Sequence, residues 1–243
     1  MLPVRFHYSS LTLPTSFRGP APLQHTIMAR QDRTGVTLQT LDEKSFDHGT
    51  ILAQTPPPGL QIPSPETCTY DDLLEFIKPK GASLLVQGIR DQVFIGPRVD
   101  VGKFYSENIT HAPKITPKDR MILWDAWDAQ TIYARHRALG RLWNTVSRGD
   151  NRKVTKRVIF EDFEVLETAS FPDLEAKTPG YLPEHRGDGV YRFCHNESQE
   201  EEGPVSILCR DGQALRVREI TVEGGEKKSA NKAMRELGCT FRT

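Results

Sequence analysis

The chain has 243 residues at 27.5 kDa, is 37% hydrophobic and 26% charged, and has a mean hydropathy of −0.50. No apolar run approaches the ~18–20 residues of a transmembrane helix. Its 18 Gly and 17 Pro recur without period, which excludes collagen-like and low-complexity classes. The expectation is a soluble globular protein of one large or two modest domains, with no membrane partner.

A formal net charge of zero hides segregated charge. Arg135 to Arg157 holds eight Lys or Arg against the single acid Asp150, while Glu161 to Glu202 holds twelve acids against three bases. A local positive field can therefore exist on a neutral chain. The four cysteines (Cys68, Cys194, Cys209, Cys239) form no C-x-x-C pair, and the seven histidines show no H-x-x-x-H or H-x-H spacing. Neither a disulfide framework nor a metal site is expected, and a reducing compartment is the default.

The first 31 residues hold three Arg and no acid, loosely like an organelle presequence. Pro3, Pro14, Pro20 and Pro22 oppose the long amphipathic helix of such signals. Leu23–Arg30 reads as a short helix with Pro22 suited to its first turn. Gly35–Leu41 alternates as a strand, Asp42–Gly49 as a loop and Thr50–Gln54 as a second strand. Pro56–Pro65 reads as an extended connector. Thr69 offers an N-cap, with Asp72 at the box position, for a helix over Tyr70–Ile77. Lys78-Pro79-Lys80-Gly81 is expected to break or kink it before a further helical piece over Ala82–Arg90.

The pattern lapses around Lys103–Lys118, where Pro113 and Pro117 flank a basic linker. Domains are therefore expected over 1–103 and 119–243, joined by 104–118. Trp124–Leu142 reads as a helix of 3.6 period. Strand-like runs follow at Lys156–Phe163, Val190–Cys194, Val205–Cys209 and Ala214–Val222, the last with a bulge where the apolar parity switches. Ser229 can cap a terminal helix to Leu237. Several short strands after one helix suggest a small barrel or curled sheet.

Two loops could carry chemistry. Phe17-Arg18-Gly19-Pro20-Ala21-Pro22-Leu23-Gln24 is a Gly/Pro-shaped turn that delivers a helix N-terminus, where developing negative charge is favoured. Phe46-Asp47-His48-Gly49-Thr50-Ile51 sets an acid at a strand end beside a Gly turn, a pattern that bends chains as readily as it serves catalysis.

Taken jointly, Phe17–Leu52 closely resembles the methionyl-tRNA formyltransferases, whose pattern runs R-G-x-A-P-x-Q, then T-G-V-T, then x-D-x-G-x-[IL]-L. Ala112-Pro113-Lys114-Ile115 resembles the A-P-K-I linker of that family. Trp124…Gln130-Thr131-Ile132 with Arg137-Ala138 resembles its W…x-Q-I…R-A helix. Asp211-Gly212, Leu215-Arg216-Val217 and Gly225-Glu226-Lys227-Lys228-Ser229-Ala230 resemble its G-x-L-x-[LV]…G-K-x-x-x-A stretch. The resemblance spans residue 17 to the end, and the Pro-rich connector points to the eukaryotic, mitochondrial type.

The resemblance implies an α/β plus β architecture: a partial Rossmann-like formyltransferase domain, then a small OB-like β-barrel that helps hold tRNA. The implied activity moves a formyl group from 10-formyltetrahydrofolate, without metal, to the α-amine of initiator methionyl-tRNA, in the mitochondrial matrix. A monomer that binds no DNA is expected. Asp47 matches the catalytic Asp, while Arg18, Gly19, Gln24, Asp42, Phe46 and Gly49 would border the folate and aminoacyl cleft. Arg137, Arg141, Arg148, Arg152, Lys153, Lys156, Lys227 and Lys228 are the candidate tRNA contacts.

The family pattern before R-G is N-x-H-x-S-x-L-P-x-x-R-G. Here Arg5 stands at the Asn position, and His7 lies eleven residues before Arg18 rather than eight. A three-residue slip is about 10 Å of extended chain, so His7 is a displaced candidate. The earlier half of the family's catalytic domain has no counterpart. The chain therefore reads as an incomplete member in which catalysis is expected to be weak or absent and strand edges and apolar surface are exposed. The alternatives are a non-catalytic tRNA-binding remnant, or a formyltransferase or formyl-hydrolase acting on another acceptor.

Overall fold

A computed structural model describes residues 4–7, 10–12, 15–40, 49–95, 100–101, 109–147, 155–166, 180–181, 192–196, 203–209 and 211–237. The chain divides into two compact units, Met1–Ile115 and Thr116–Thr243.

The first unit is mixed α/β. Its strands are β1 (Val4–His7), β2 (Ser10–Thr12), β3 (Thr15–Arg18), β4 (Arg33–Thr34), β5 (Thr37–Thr40), β6 (Ile51–Gln54), β7 (Leu60–Gln61) and β8 (Ile109–His111). They form sheets of order β1-β5-β6, β2-β3-β8 and β4-β7. Among the described residues of this unit, β3 and β8 pair in parallel and the other ladders are antiparallel. Helix α1 (Pro22–Met28) has Pro at its start, where the missing N–H costs nothing.

Helix α2 spans Tyr70–Arg90 without the expected break. It begins in a capping box: the Asp72 amide donates to Thr69 Oγ1 at 3.3 Å, and the Thr69 amide donates to Asp72 Oδ2 at 3.0 Å. Pro79 removes one helical hydrogen bond, yet the helix continues because Leu73, Ile77, Gly81 and Gly88 are buried. Tertiary burial of one face outweighs a local penalty of this kind. A Cβ built on Gly88 would lie 2.6 Å from Leu38 Cδ2, so the absence of a side chain sets how closely helix and sheet approach. Beyond the buried face, Val86, Ile89 and Ile95 are exposed.

The second unit opens with a 3-10 turn over Pro117–Arg120. Helix α3 runs only Ala129–Leu139, shorter than the expected Trp124–Leu142. Asp128 caps it by accepting from the Thr131 amide at 2.6 Å, and Gly140, at φ 74°, ends it. Trp124 instead packs edge-on against Phe160, with ring centroids 5.7 Å apart. Leu142 opens β9 (Leu142–Ser147).

The remaining strands are β10 (Thr155–Phe160), β11 (Glu164–Leu166), β12 (Gly180–Tyr181), β13 (Arg192–Asn196), β14 (Val205–Leu208), β15 (Ala214–Val217), β16 (Glu219–Val222) and β17 (Lys227–Ser229). They form two antiparallel sheets of order β17-β16-β10-β9 and β11-β15-β14-β13-β12. The parity switch expected as a bulge in Ala214–Val222 is a change of sheet. At Arg218 the chain passes from β15 to β16, and Asp162 Oδ1 accepts from the amides of Arg218 and Glu219 at 2.9 and 3.2 Å. Leu142, Val158, Phe160, Leu215, Val217 and Ile220 form much of the core. Helix α4 (Ala230–Glu236) starts after Ser229, but without the expected side-chain cap. The Ser229 hydroxyl is buried and finds no hydrogen-bond partner among the described residues.

Candidate active site

Two sequence blocks more than ninety residues apart meet in the first unit. The turn after β3 needs Gly19: its φ is 137°, and a Cβ there would lie 2.3 Å from the carbonyl oxygen of Ala112. The Ala112 amide donates to Arg18 O at 2.6 Å, and the Ala21 amide donates to Ala112 O at 3.3 Å. One turn into α1, His25 Nε2 lies 3.2 Å from Pro113 O, and its ring stands 6.1 Å from that of Phe17. The Arg18-Gly19-Pro20-Ala21-Pro22 turn is thus stitched by main chain to Ala112-Pro113. Arg18 and Gln24 are half-buried beside the seam, and Gly19 is buried in it.

The second candidate loop is anchored at both ends. The Thr40 amide donates to Thr50 O at 3.0 Å, and the Thr50 amide donates to Thr40 Oγ1 at 2.9 Å. Gly49 passes so close to Thr40 that an added Cβ would lie 1.6 Å from its carbonyl oxygen. Asp42, Phe46 and Asp47 lie outside the described residues.

Between these features runs β5, an inner strand with an unusually polar core. Thr37, Gln39 and Thr40 are all buried on it. Its neighbour β1 sets Arg5 opposite Gln39 and His7 opposite Thr37. The antiparallel pair β2 and β3 follows His7 in the sequence, and Arg18 ends β3.

In the second unit the candidate tRNA contacts are dispersed. Arg137, expected on an RNA-facing surface, is only 7% exposed, with its guanidinium 5.2 Å from the Tyr133 ring centroid. Lys227 pairs with Glu219, which holds its ammonium above the usual lysine range, and Lys228 pairs with Glu236, each at 2.7 Å. Arg141 lies 3.7 Å from Glu161. Lys156 is half-buried on β10. Arg148, Arg152 and Lys153 lie outside the described residues.

Sequence reasoning missed two cation–aromatic pairs here. Arg157, exposed, lies 4.4 Å from the Trp143 ring centroid, and Arg135 lies 4.1 Å from that of Trp127. Burial pushes the Arg135 guanidinium down from its ordinary value. The first pair joins adjacent strands; only register, which the sequence did not disclose, brings it together. Among the described residues, no cluster of His, Cys, Asp or Glu could hold a metal ion, and no helix is long and apolar enough to cross a membrane.

The fold is similar to part of HypX from Aquifex aeolicus, solved in complex with tetrahydrofolic acid. The match covers 96% of this chain and 35% of that one, at a TM-score of 0.53 and 15% identity. No protein-family profile matches the chain. In sequence, the chain is similar to methionyl-tRNA formyltransferases of mitochondria and bacteria. It is 26% identical to the mitochondrial enzyme of Saccharomyces cerevisiae, over 90% of this chain and 56% of the relative. It is 29% identical to that of Bos taurus, over 79% and 48%. Identity is again 29% with the enzyme of Caldicellulosiruptor saccharolyticus, over 90% and 60%. The chain spans about half the length of the curated relatives it matches.

Proposed function

We propose that this chain performs formyl transfer, weakened by Arg5 at the Asn position, from 10-formyltetrahydrofolate to the α-amine of initiator methionyl-tRNA, in the mitochondrial matrix and in support of translation initiation. The observation that carries the reading is the seam between Gly19 and Ala112. It unites the R-G-P-A-P-L-Q and A-P-K-I blocks in one place, as a shared substrate cleft requires. On this reading the first unit is a Rossmann-like formyltransferase half-domain. The second is an OB-like module that holds the tRNA, and the protein works as a monomer.

In the reaction the amine lone pair forms a bond to the formyl carbon, and the carbonyl pair moves onto oxygen. When that pair returns, the bond to N10 breaks and its electrons stay on the folate nitrogen, which takes up a proton. Asp47 assists removal of the amine proton, and donors near the oxygen stabilise its charge. Arg18 and Gln24 border the cleft, as do Asp42, Phe46 and Gly49. In the second unit, exposed cations, among them Arg141, contact the tRNA backbone.

Incubating the purified chain with charged initiator tRNA and labelled formyl donor tests this directly, since Asp47→Asn should abolish transfer. A second reading is a non-catalytic tRNA binder, favoured by Arg5 at the Asn position. It predicts salt-dependent tRNA binding without formylation.

A further inference from the structure

The outer face of the sheet β17-β16-β10-β9 carries an aromatic ring and a cation that the fold leaves toward solvent. Leu142, Asn144, Val158, Phe160 and Ile220 of this sheet are buried, so the alternate residues Trp143, Thr145, Arg157, Ile159 and Thr221 line its other side. Register sets Ile159 between Trp143 and Thr221, and Arg157 opposite Thr145. The half-buried Trp143 is fixed in place: its Nε1 donates to Pro117 O at 3.1 Å, and its carbonyl accepts from the Ile122 amide at 2.9 Å. The exposed Arg157 reaches diagonally across the two strands and lays its guanidinium over this ring, 4.4 Å from the centroid.

A cation–aromatic pair can be purely structural, and the charges around it decide otherwise. Glu223 is held by the Arg157 main chain, whose amide donates to its Oε2 at 3.1 Å. Glu161 accepts from the Thr221 hydroxyl at 2.6 Å and lies 3.7 Å from Arg141. Glu219 pairs with Lys227. Arg216, Arg218 and Lys228 are likewise matched to carboxylates. Among the described residues, none pairs with the Arg157 guanidinium. Lys118, exposed and also without a carboxylate among them, follows Pro117 and adds positive charge near the indole edge.

A guanidinium resting on an indole has used one flat face. Its other face and its edge N–H groups still suit a second flat ring and an anionic oxygen. An unpaired nucleotide presents both, as base and phosphate. A base within a duplex has its faces covered by its neighbours, and an acidic peptide brings the oxygen without the ring. We propose that the Arg157 guanidinium, backed by Trp143, is a stacking platform for one unpaired nucleotide of an RNA. The proposal rests on the RNA-binding reading of the second unit and deepens it. Contacts to the backbone position an RNA, whereas this one distinguishes an unpaired base from a paired one.

The test measures binding of the full chain to two labelled strands of equal charge: hexaadenylate, and the same ribose-phosphate hexamer without bases. The wild-type chain should prefer the strand with bases by about five- to a hundredfold, the range of one stacked base. Arg157→Lys keeps the charge but not the plane. It should keep the wild-type melting temperature and salt slope and lose most of the preference, a change that a merely structural or merely electrostatic role would not produce. Hexaglutamate should bind no better than the strand without bases.

Equal binding of the two strands by the wild-type chain overturns the proposal, as does full retention of the preference in Arg157→Lys. Tighter binding of hexaglutamate than of hexaadenylate overturns it in favour of an acidic peptide. A chain that binds folded tRNA without any preference for bases overturns this proposal alone, while one that binds no RNA overturns the RNA-binding reading with it.

Discussion

Gly19 and Ala112 touch backbone to backbone, with room for a hydrogen and nothing larger. A Cβ on Gly19 would stand 2.3 Å from the Ala112 oxygen, and the Gly19 φ of 137° is one that L side chains rarely adopt. Gly19→Ala therefore carries both backbone strain and a clash with a carbonyl that already accepts from Ala21. The expected loss is about 2–4 kcal/mol from these combined costs. Denaturant unfolding of the full chain, followed by a probe in the first unit, measures it. A loss below 0.5 kcal/mol (roughly the level of an ordinary surface substitution) would mean the two blocks are not tightly joined.

Gly49 provides a second, independent check. Its added Cβ would lie 1.6 Å from Thr40 O, where the obstacle is main chain and cannot swing aside. Gly49→Ala should destabilise the first unit by about 1–3 kcal/mol or more. Thr40→Val, which removes only the hydroxyl that accepts from the Thr50 amide, should cost about 1 kcal/mol. Hydrogen exchange at the Thr50 amide reads out the second variant, which should exchange faster. Unchanged protection there would contradict the anchoring of this loop.

The second unit should be acid-sensitive through one histidine. Burial holds the His136 imidazolium below its usual range, against weaker opposing contributions from the Gly140 carbonyl and Asp162. Its ring stacks edge-on with Phe163 at 5.4 Å. A depressed histidine pKa means that the unfolded chain takes up its proton first. Stability is therefore full above the unfolded value of about 6.5 and falls as pH drops through that value toward the lower folded one. A melting series from pH 8 to 5 should show this decline in the wild type and a flatter profile in His136→Gln. Parallel profiles would contradict it.

Among the described cations of the second unit, Arg157 is exposed and lies over the Trp143 ring, a placement that suits contact with an RNA. If the tRNA reading holds, Arg157→Ala should weaken binding and lower the salt slope by about one. Lys227→Ala, which frees Glu219 from its ion pair, should change the slope less. Equal effects, or none, would remove Arg157 from the interface.

How far the sequence disclosed these features depended on the range of the interactions involved. Thr69 with Asp72 announced the start of α2, because a capping box is local chemistry. The Pro79 break failed because the buried face of Leu73, Ile77, Gly81 and Gly88 is a tertiary effect that no local rule carries. The parity switch around Arg218 was visible, but whether it meant a bulge or a change of sheet depended on Asp162, more than fifty residues away. At the candidate site, both blocks of the Gly19–Ala112 seam were legible as patterns, while their contact was not.

The most direct measurement of the central claim is single-turnover formylation of charged initiator tRNA by the intact chain with radiolabelled 10-formyltetrahydrofolate. The wild-type chain should place label on the methionyl amine, slowly but above background, and Asp47→Asn should place none. Label that accumulates equally with both proteins, or with neither, would contradict the claim.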